Sequence, residues 1–225
     1  MAQGYFITGT DTGIGKTWTS LALMQYFQEK GKTVAGMKPV AAGCEIIDGQ
    51  LKNDDALQLQ EQSSIELPYS LVNPYAFSQP VSPHIAAKKA GKEVDILHIQ
   101  KEYLKLATLV DVVIVEGVGG WMVPLNDSQD VSNLAEQLNL PIIIVVGMRL
   151  GCINQARLTF AAINRLGGCC EGWIASCVEE DMDELDANIK TLEAFAGMPL
   201  LAIFPYQEKR NLMNFKKISN ETLQP

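Results

Sequence analysis

Two runs, Val112-Val113-Ile114-Val115 and Ile142-Ile143-Ile144-Val145-Val146, restrict what this chain can fold into more than any other feature. Neighbouring side chains of a strand point to opposite faces, so a run that is apolar at every position must be covered on both. Branching at Cβ in nearly every residue favours strand over helix. Strands of this kind belong to a parallel sheet packed between helices. The same rhythm fills the rest of the chain. Strands are predicted at 5–8, 33–37, 112–115, 142–147, 172–176 and 200–204, and helical patterns fit 17–29, 56–61, 83–90, 96–108, 131–138, 153–166 and 184–196. The alternation predicts an α/β fold, with a doubly wound, mostly parallel sheet flanked by helices in a single domain over 1–225.

In such sheets ligands bind beyond the carboxyl ends of the strands. The segments that follow the apolar runs therefore matter most. After the first comes Gly9-Thr10-Asp11-Thr12-Gly13-Ile14-Gly15-Lys16-Thr17, directly before a helical pattern that opens with Trp18. A strand, a glycine loop and a helix start let backbone N–H groups cradle phosphate oxygens, as in P-loop NTPases. Lys16 is placed to meet the outer phosphates of a nucleotide, and the Thr17 hydroxyl to ligate Mg²⁺. The usual spacing puts the first glycine where Thr10 stands, so Gly9 comes one residue early.

The second strand ends at Lys38, expected to lie beside the first strand and bring a second positive charge to a transferring phosphoryl group. The alternative is a strand-end lysine that snorkels to water. Glu116 is a lone acid at the tip of an apolar strand, costly to bury without a cation. That makes it a Mg²⁺ ligand, or else an N-cap partner for a helical turn at 117–121. Asp54 and Asp55 are adjacent, so at most one points inward; both could instead cap the helix from Ala56. Met148-Arg149-Leu150-Gly151-Cys152-Ile153-Asn154, Ser176-Cys177 and Pro205-Tyr206-Gln207 close the remaining strands on the same edge. Between 43 and 92 the rhythm breaks. Pro74, Pro80 and Pro83 exclude a central strand there and predict an ordered loop over a helix start.

Composition narrows the partners. With 26 acidic against 18 basic residues the net charge is −8, which excludes nucleic acid as a partner and leaves an anionic ligand to a few local positive groups and a metal ion. No apolar stretch reaches the roughly 18 residues of a membrane span, and no signal sequence opens the chain. The expected location is cytoplasmic. The five cysteines form no Cys-x-x-Cys pair and only two histidines accompany them, so they read as reduced, packed thiols rather than a zinc site.

Taken together, the loop 9–17, Lys38-Pro39-Val40, Asn53-Asp54-Asp55-Ala56, Asn73-Pro74-Tyr75 with Ser82-Pro83-His84, Glu116-Gly117-Val118-Gly119-Gly120-Trp121 and Gly147 through Asn154 resemble the dethiobiotin synthetase family over nearly the whole length. That family has the same early glycine. The resemblance implies an ATP- and Mg²⁺-dependent ligase that carboxylates 7,8-diaminopelargonate with CO₂ and closes a ureido ring through a carbamate and its phosphoric anhydride. It implies Lys16 and Lys38 as stabilisers of the transfer, Thr12 on the carbamate, and Thr17, Asp55 and Glu116 around Mg²⁺. It places ATP on Gly13, Ile14, Gly15, Lys16, Thr17, Trp18, Asp55, Glu116, Gly117, Val118, Gly119, Ser176, Cys177, Pro205, Tyr206 and Gln207. It also implies a homodimer whose interface receives the substrate carboxylate at Gly151, Cys152, Ile153 and Asn154. Three departures stand out: Ala42 for a serine, Ser176-Cys177 for an Asn-Asp pair at the base, and Asn188 where a tyrosine can stand. The alternative from another class is a deviant P-loop ATPase switch that controls dimerisation and partner binding. Such proteins carry a second lysine early in the loop, where this chain has Gly9-Thr10-Asp11, and often end in an amphipathic membrane helix, unlike the polar tail 209–225.

Overall fold

The computed structural model describes residues 2–206; Gln207 and the tail 209–225 lie outside the described residues. In chain order the elements are β1 (Gln3–Gly9), α1 (Lys16–Glu29), β2 (Val34–Met37), β3 (Val40–Ala42), β4 (Glu45–Ile47), β5 (Gln50–Lys52), α2 (Asp54–Gln62), α3 (Tyr69–Val72) and β6 (Tyr75–Phe77). There follow α4 (Pro83–Lys89), α5 (Ile96–Leu106), β7 (Val112–Glu116), α6 (Val131–Leu138), β8 (Ile142–Met148), α7 (Cys152–Arg165), β9 (Cys170–Cys177), α8 (Leu185–Ala196) and β10 (Leu200–Phe204).

All six predicted strands enter one sheet, in the order β10-β9-β8-β1-β7-β2. Every pairing in it is parallel. Side chains of β7 and β8 are buried at every position, which requires cover on both faces. The continuous runs thus have the environment their composition demands. Burial of a Val or Ile here contributes about 1.5–3 kcal/mol, and Ile114, Val115, Ile143, Ile144 and Val145 are all fully buried. Helix α1 packs on β1, β2 and β7 and against α2, while α7 packs on β8 and α8. Among the described residues no helix is long and apolar enough to cross a membrane.

One expectation fails. Strand β2 does not lie beside β1, because β7 pairs with both and separates them. The α1 crossover skips one place, and the chain returns later to fill it. The register sets Ile7 against Glu116 and Met37 against Val115. Lys38, one residue past Met37, is therefore level with Glu116 on the strand between.

The proline-rich stretch stays out of the main sheet, as expected. It contributes β6, which pairs with β3 in a separate two-stranded sheet, and Ser82 precedes Pro83 at the first turn of α4. The antiparallel hairpin of β4 and β5 and the short α3 leave too little periodicity to be read from sequence.

Candidate active site

Gly15 takes φ 95°, a left-handed conformation that costs glycine little, and it starts α1 with no side-chain cap. The amides of the first turn are thus left to a ligand. The early glycine has a steric cause. A Cβ on Gly9 would lie 2.6 Å from Ile14 Cδ1 and 3.3 Å from Lys16 Cδ, because the loop folds back over it. Thr10 stays with the sheet: its N–H donates to the Val145 carbonyl at 3.0 Å. The buried Lys16 donates from Nζ to the Asp11 carbonyl at 2.6 Å. Burial, and then the charge of Lys38, bring its pKa down to about 8.

Two further strand ends, those of β2 and β7, and the start of α2 converge beside this loop. Lys38 is buried, with Nζ 2.5 Å from Glu116 Oε1 and 3.0 Å from Asp55 Oδ2. The snorkelling alternative is excluded. Thr17 Oγ1 lies 2.8 Å from Asp55 Oδ1 and 3.1 Å from Glu116 Oε1, so its one proton is shared between two carboxylates. Burial alone would lower the Lys38 pKa, but the two carboxylates outweigh it and hold the ammonium above its ordinary value. The same balance reversed keeps Asp55 below the carboxylate range: burial opposes ionisation, and the Lys38 charge with two hydrogen bonds overcomes it. Glu116 is only 1% exposed, and its second oxygen, Oε2, has no hydrogen-bond partner. A hydroxyl and two carboxylates, one with an orphaned buried oxygen, form the hard donor set that Mg²⁺ accepts.

Asp54 and Asp55 separate cleanly. Helix α2 begins at Asp54, and Asn53 caps it by accepting the Ala56 N–H, so neither aspartate is the N-cap. Asp54 is exposed at the rim of the cleft, where its Oδ2 accepts from Gln58 Nε2 at 2.8 Å, and it makes no contact with Lys38 or Thr17. Residues 117–121 form a turn rather than a helix, which removes the capping alternative for Glu116. A brace not foreseen from sequence holds Lys38. Asn73 donates to the Lys38 carbonyl at 2.6 Å, Tyr69 donates to Asn73 Oδ1 at 2.9 Å, and the Asn53 N–H donates to the Tyr69 hydroxyl at 2.7 Å. The one signal for it was an asparagine directly before Pro74 in an otherwise apolar segment.

A cleft of about 390 Å³ opens over these groups. Thr12, Gly13, Gly15, Lys16, Thr17, Trp18, Lys38, Asp55, Glu116, Val118 and Gly119 line it, together with Ala42. Ile14 is buried beneath the loop, and the Gly117 carbonyl accepts from Lys38 Nζ at 3.4 Å. The other expected residues among those described border the same sheet edge without lining this cleft. Cys152 is buried at the first position of α7, while Gly151 and Asn154 are exposed. Ser176 and Cys177 are buried at the end of β9; Pro205 and Tyr206 are exposed just past β10. Burial, offset in part by a backbone bond from Tyr206, raises the Cys177 thiol.

A parallel sheet with a glycine loop at its middle strand, a buried lysine pair and a magnesium-type donor set defines a P-loop nucleotide-binding protein. Solved structures agree on the fold. A ParA family ATPase from Chlorobium tepidum superposes at TM-score 0.57 with 12% identity over 92% of this chain and 86% of its own. The MinC:MinD complex from Aquifex aeolicus gives 0.57 at 15% identity, over 92% and 83%. The family profile described as "AAA domain" matches residues 3–213. Curated relatives are more specific. The protein named ATP-dependent dethiobiotin synthetase BioD from Nitrosospira multiformis is 43% identical over 97% of this chain and 95% of its own length. The protein of the same name from Aromatoleum aromaticum is 46% identical over 91% of each. The chain belongs to the dethiobiotin synthetase family, ligases that form carbon–nitrogen bonds with ATP.

Proposed function

We propose that this chain converts 7,8-diaminopelargonate, CO₂ and ATP to dethiobiotin, ADP and phosphate. One amine adds to CO₂ and loses a proton, giving a carbamate. A carbamate oxygen attacks the γ-phosphorus, and ADP leaves. The second amine then attacks the carbonyl of the mixed anhydride, the C–O bond breaks, phosphate departs, and the ureido ring closes. The observation that carries this reading is Lys38, buried and ion-paired to Asp55 and Glu116 at the side of a phosphate loop. An ammonium fixed there before substrate arrives stabilises charge on the transferred group without further reorganisation.

Lys16 and Lys38 act on the phosphoryl group, and Thr12 meets the carbamate. Thr17, Asp55 and Glu116 hold Mg²⁺; the orphaned Glu116 Oε2 supports that assignment. A Mg²⁺ held by these three side chains would supply charge neutralisation to the nucleotide's phosphoryl oxygens. Gly13, Ile14, Gly15, Trp18, Gly117, Val118 and Gly119 cradle the nucleotide, with its base toward Ser176, Cys177, Pro205, Tyr206 and Gln207. Gly151, Cys152, Ile153 and Asn154 receive the substrate carboxylate, a role suited to an uncapped helix N-terminus. Leu150 beside them is 98% exposed, which supports a homodimer that covers it. Residues 1–225 act as one domain, in the cytoplasm.

The test is direct. Protein, diaminopelargonate, bicarbonate, Mg²⁺ and ATP should yield dethiobiotin and ADP in equal amounts. Absence of dethiobiotin at saturating substrates overturns the proposal.

A further inference from the structure

Asp11 sits in the middle of the phosphate loop, and all three of its oxygens are engaged. Its carbonyl accepts from Lys16 Nζ at 2.6 Å, Oδ1 accepts the Thr12 N–H at 2.7 Å, and Oδ2 is ion-paired with the Arg149 guanidinium. Arg149 is the first residue past β8, and its own carbonyl accepts the Cys152 N–H at 3.0 Å. One residue therefore grips the phosphate loop with its side chain and builds the turn into α7 with its main chain. Strands β1 and β8 are parallel neighbours, so this bridge joins two adjacent ends of the sheet.

The pair is no stability device. Arg149 is 36% exposed and Asp11 41%, and ion pairs so open to water contribute little to folding. Its placement is what matters. The bond from Thr12 N–H to Asp11 Oδ1 fixes the backbone that carries Thr12 over the 117–120 turn, where a Cβ on Gly119 would lie 3.6 Å from Thr12 Oγ1.

We infer that Arg149 is a positioning residue. Through Asp11 it holds the Thr12 end of the phosphate loop in register with the start of α7, so the second substrate meets the nucleotide at a set distance. The identity of that substrate rests on the function proposed above.

Kinetics and hydrogen exchange test it together. In Arg149→Met, kcat/KM for diaminopelargonate should fall about 10- to 100-fold, the scale of a small misplacement of reacting groups. KM for ATP should stay within about twofold. Arg149→Lys should recover most of the loss, and Asp11→Asn combined with Arg149→Met should be no worse than either alone. Additive losses, or an ATP KM that rises as much as that of the diamine, overturn the proposal. Amides of residues 9–15 should exchange faster in substrate-free Arg149→Met and return to normal in Arg149→Lys. Unchanged exchange overturns it too, whereas a wild-type protein that makes no dethiobiotin overturns only the functional reading.

Discussion

Helices α1 and α7 begin alike. Each is 14 residues long, each starts at a left-handed glycine, Gly15 at φ 95° and Gly151 at φ 96°, and neither has a side-chain cap. Their preceding strands are adjacent and parallel, so both N-termini open on the same edge of the sheet. The difference lies in the first turn. Helix α1 opens with the buried Lys16 and has Lys38 close by; α7 opens with the neutral Cys152, Ile153 and Asn154. The fold supplies the positive end of a helix twice, worth about 0.3–1 kcal/mol for an anion at an exposed end. Side chains then decide which anion each end suits. Two lysines fit a polyphosphate with charge in motion, and an uncharged turn fits a single static carboxylate.

The largest test of that contrast is Lys38→Met. Turnover should fall about 10³-fold, the worth of a charge aimed at a transition state. The protein should also lose about 3–5 kcal/mol, because Glu116 is left buried without its partner. Adding Glu116→Gln should restore much of the melting temperature and none of the turnover. Recovery of turnover would make Lys38 a structural counter-ion only.

Lys16 gives the next effect. Its pKa is about 8 against an ordinary 10.5, so between those values the free protein holds it neutral. Polyphosphate favours the charged form, so ATP binding above pH 8 should take up a proton, and affinity should fall as pH rises through 8. Calorimetry in buffers of different ionisation heat reads this uptake, which Lys16→Met should abolish along with about 100-fold in affinity. The sign for folding follows. Unfolded lysine keeps its proton to about 10.5, so the burial penalty is full below pH 8 and fades toward 10.5, and this group makes stability rise with pH across that window. Stability that falls there in wild type relative to Lys16→Met would contradict the buried placement.

Gly15→Ala and Gly151→Ala impose the same strain on the two helix starts, on the order of 1 kcal/mol or somewhat more at positive φ. The comparison predicts different victims, with about a tenfold rise in KM for ATP in the first and for diaminopelargonate in the second. If both variants weaken only ATP, α7 does not receive the second substrate. The smallest effects are expected at Ala42 and Asn188. Ala42 lines the cleft, and Asn188 Oδ1 is 4.0 Å from Cys152 Sγ at the start of α7. Ala42→Ser and Asn188→Tyr should each lower KM for the diamine a few-fold, the scale of one hydrogen bond. No change in either would show that this chain binds its substrate through other groups.

How much of this was legible before the structure follows from distance along the chain. The loop from Gly9 to Thr17 and the runs before Lys38 and Glu116 are local patterns, and the predicted strands all took their places in the main sheet. The choice between Asp54 and Asp55 was left open by the residues themselves, because a helix start one residue earlier or later exchanges which of them turns inward. Asn53 as the cap fixes that phase. Tyr69 and Asn73 were invisible as a brace, since their value lies in reaching a carbonyl 35 residues away from Asn73.

By itself the sequence determined where strands and helices fall and which residues stand at the strand ends, because side-chain periodicity and turn chemistry act over a few neighbours. Only the tertiary structure decided the order of the strands. A crossover leaves its helix free to land one place away or two, and nothing local to 17–33 records the choice. By landing two places away, β2 left room for β7, and that put Glu116 level with Lys38 and within reach of Thr17. The same long-range packing brought Arg149 to Asp11 across 138 residues. Charges that read singly along the chain as strand-end residues become a paired, desolvated cluster only when three strand ends meet.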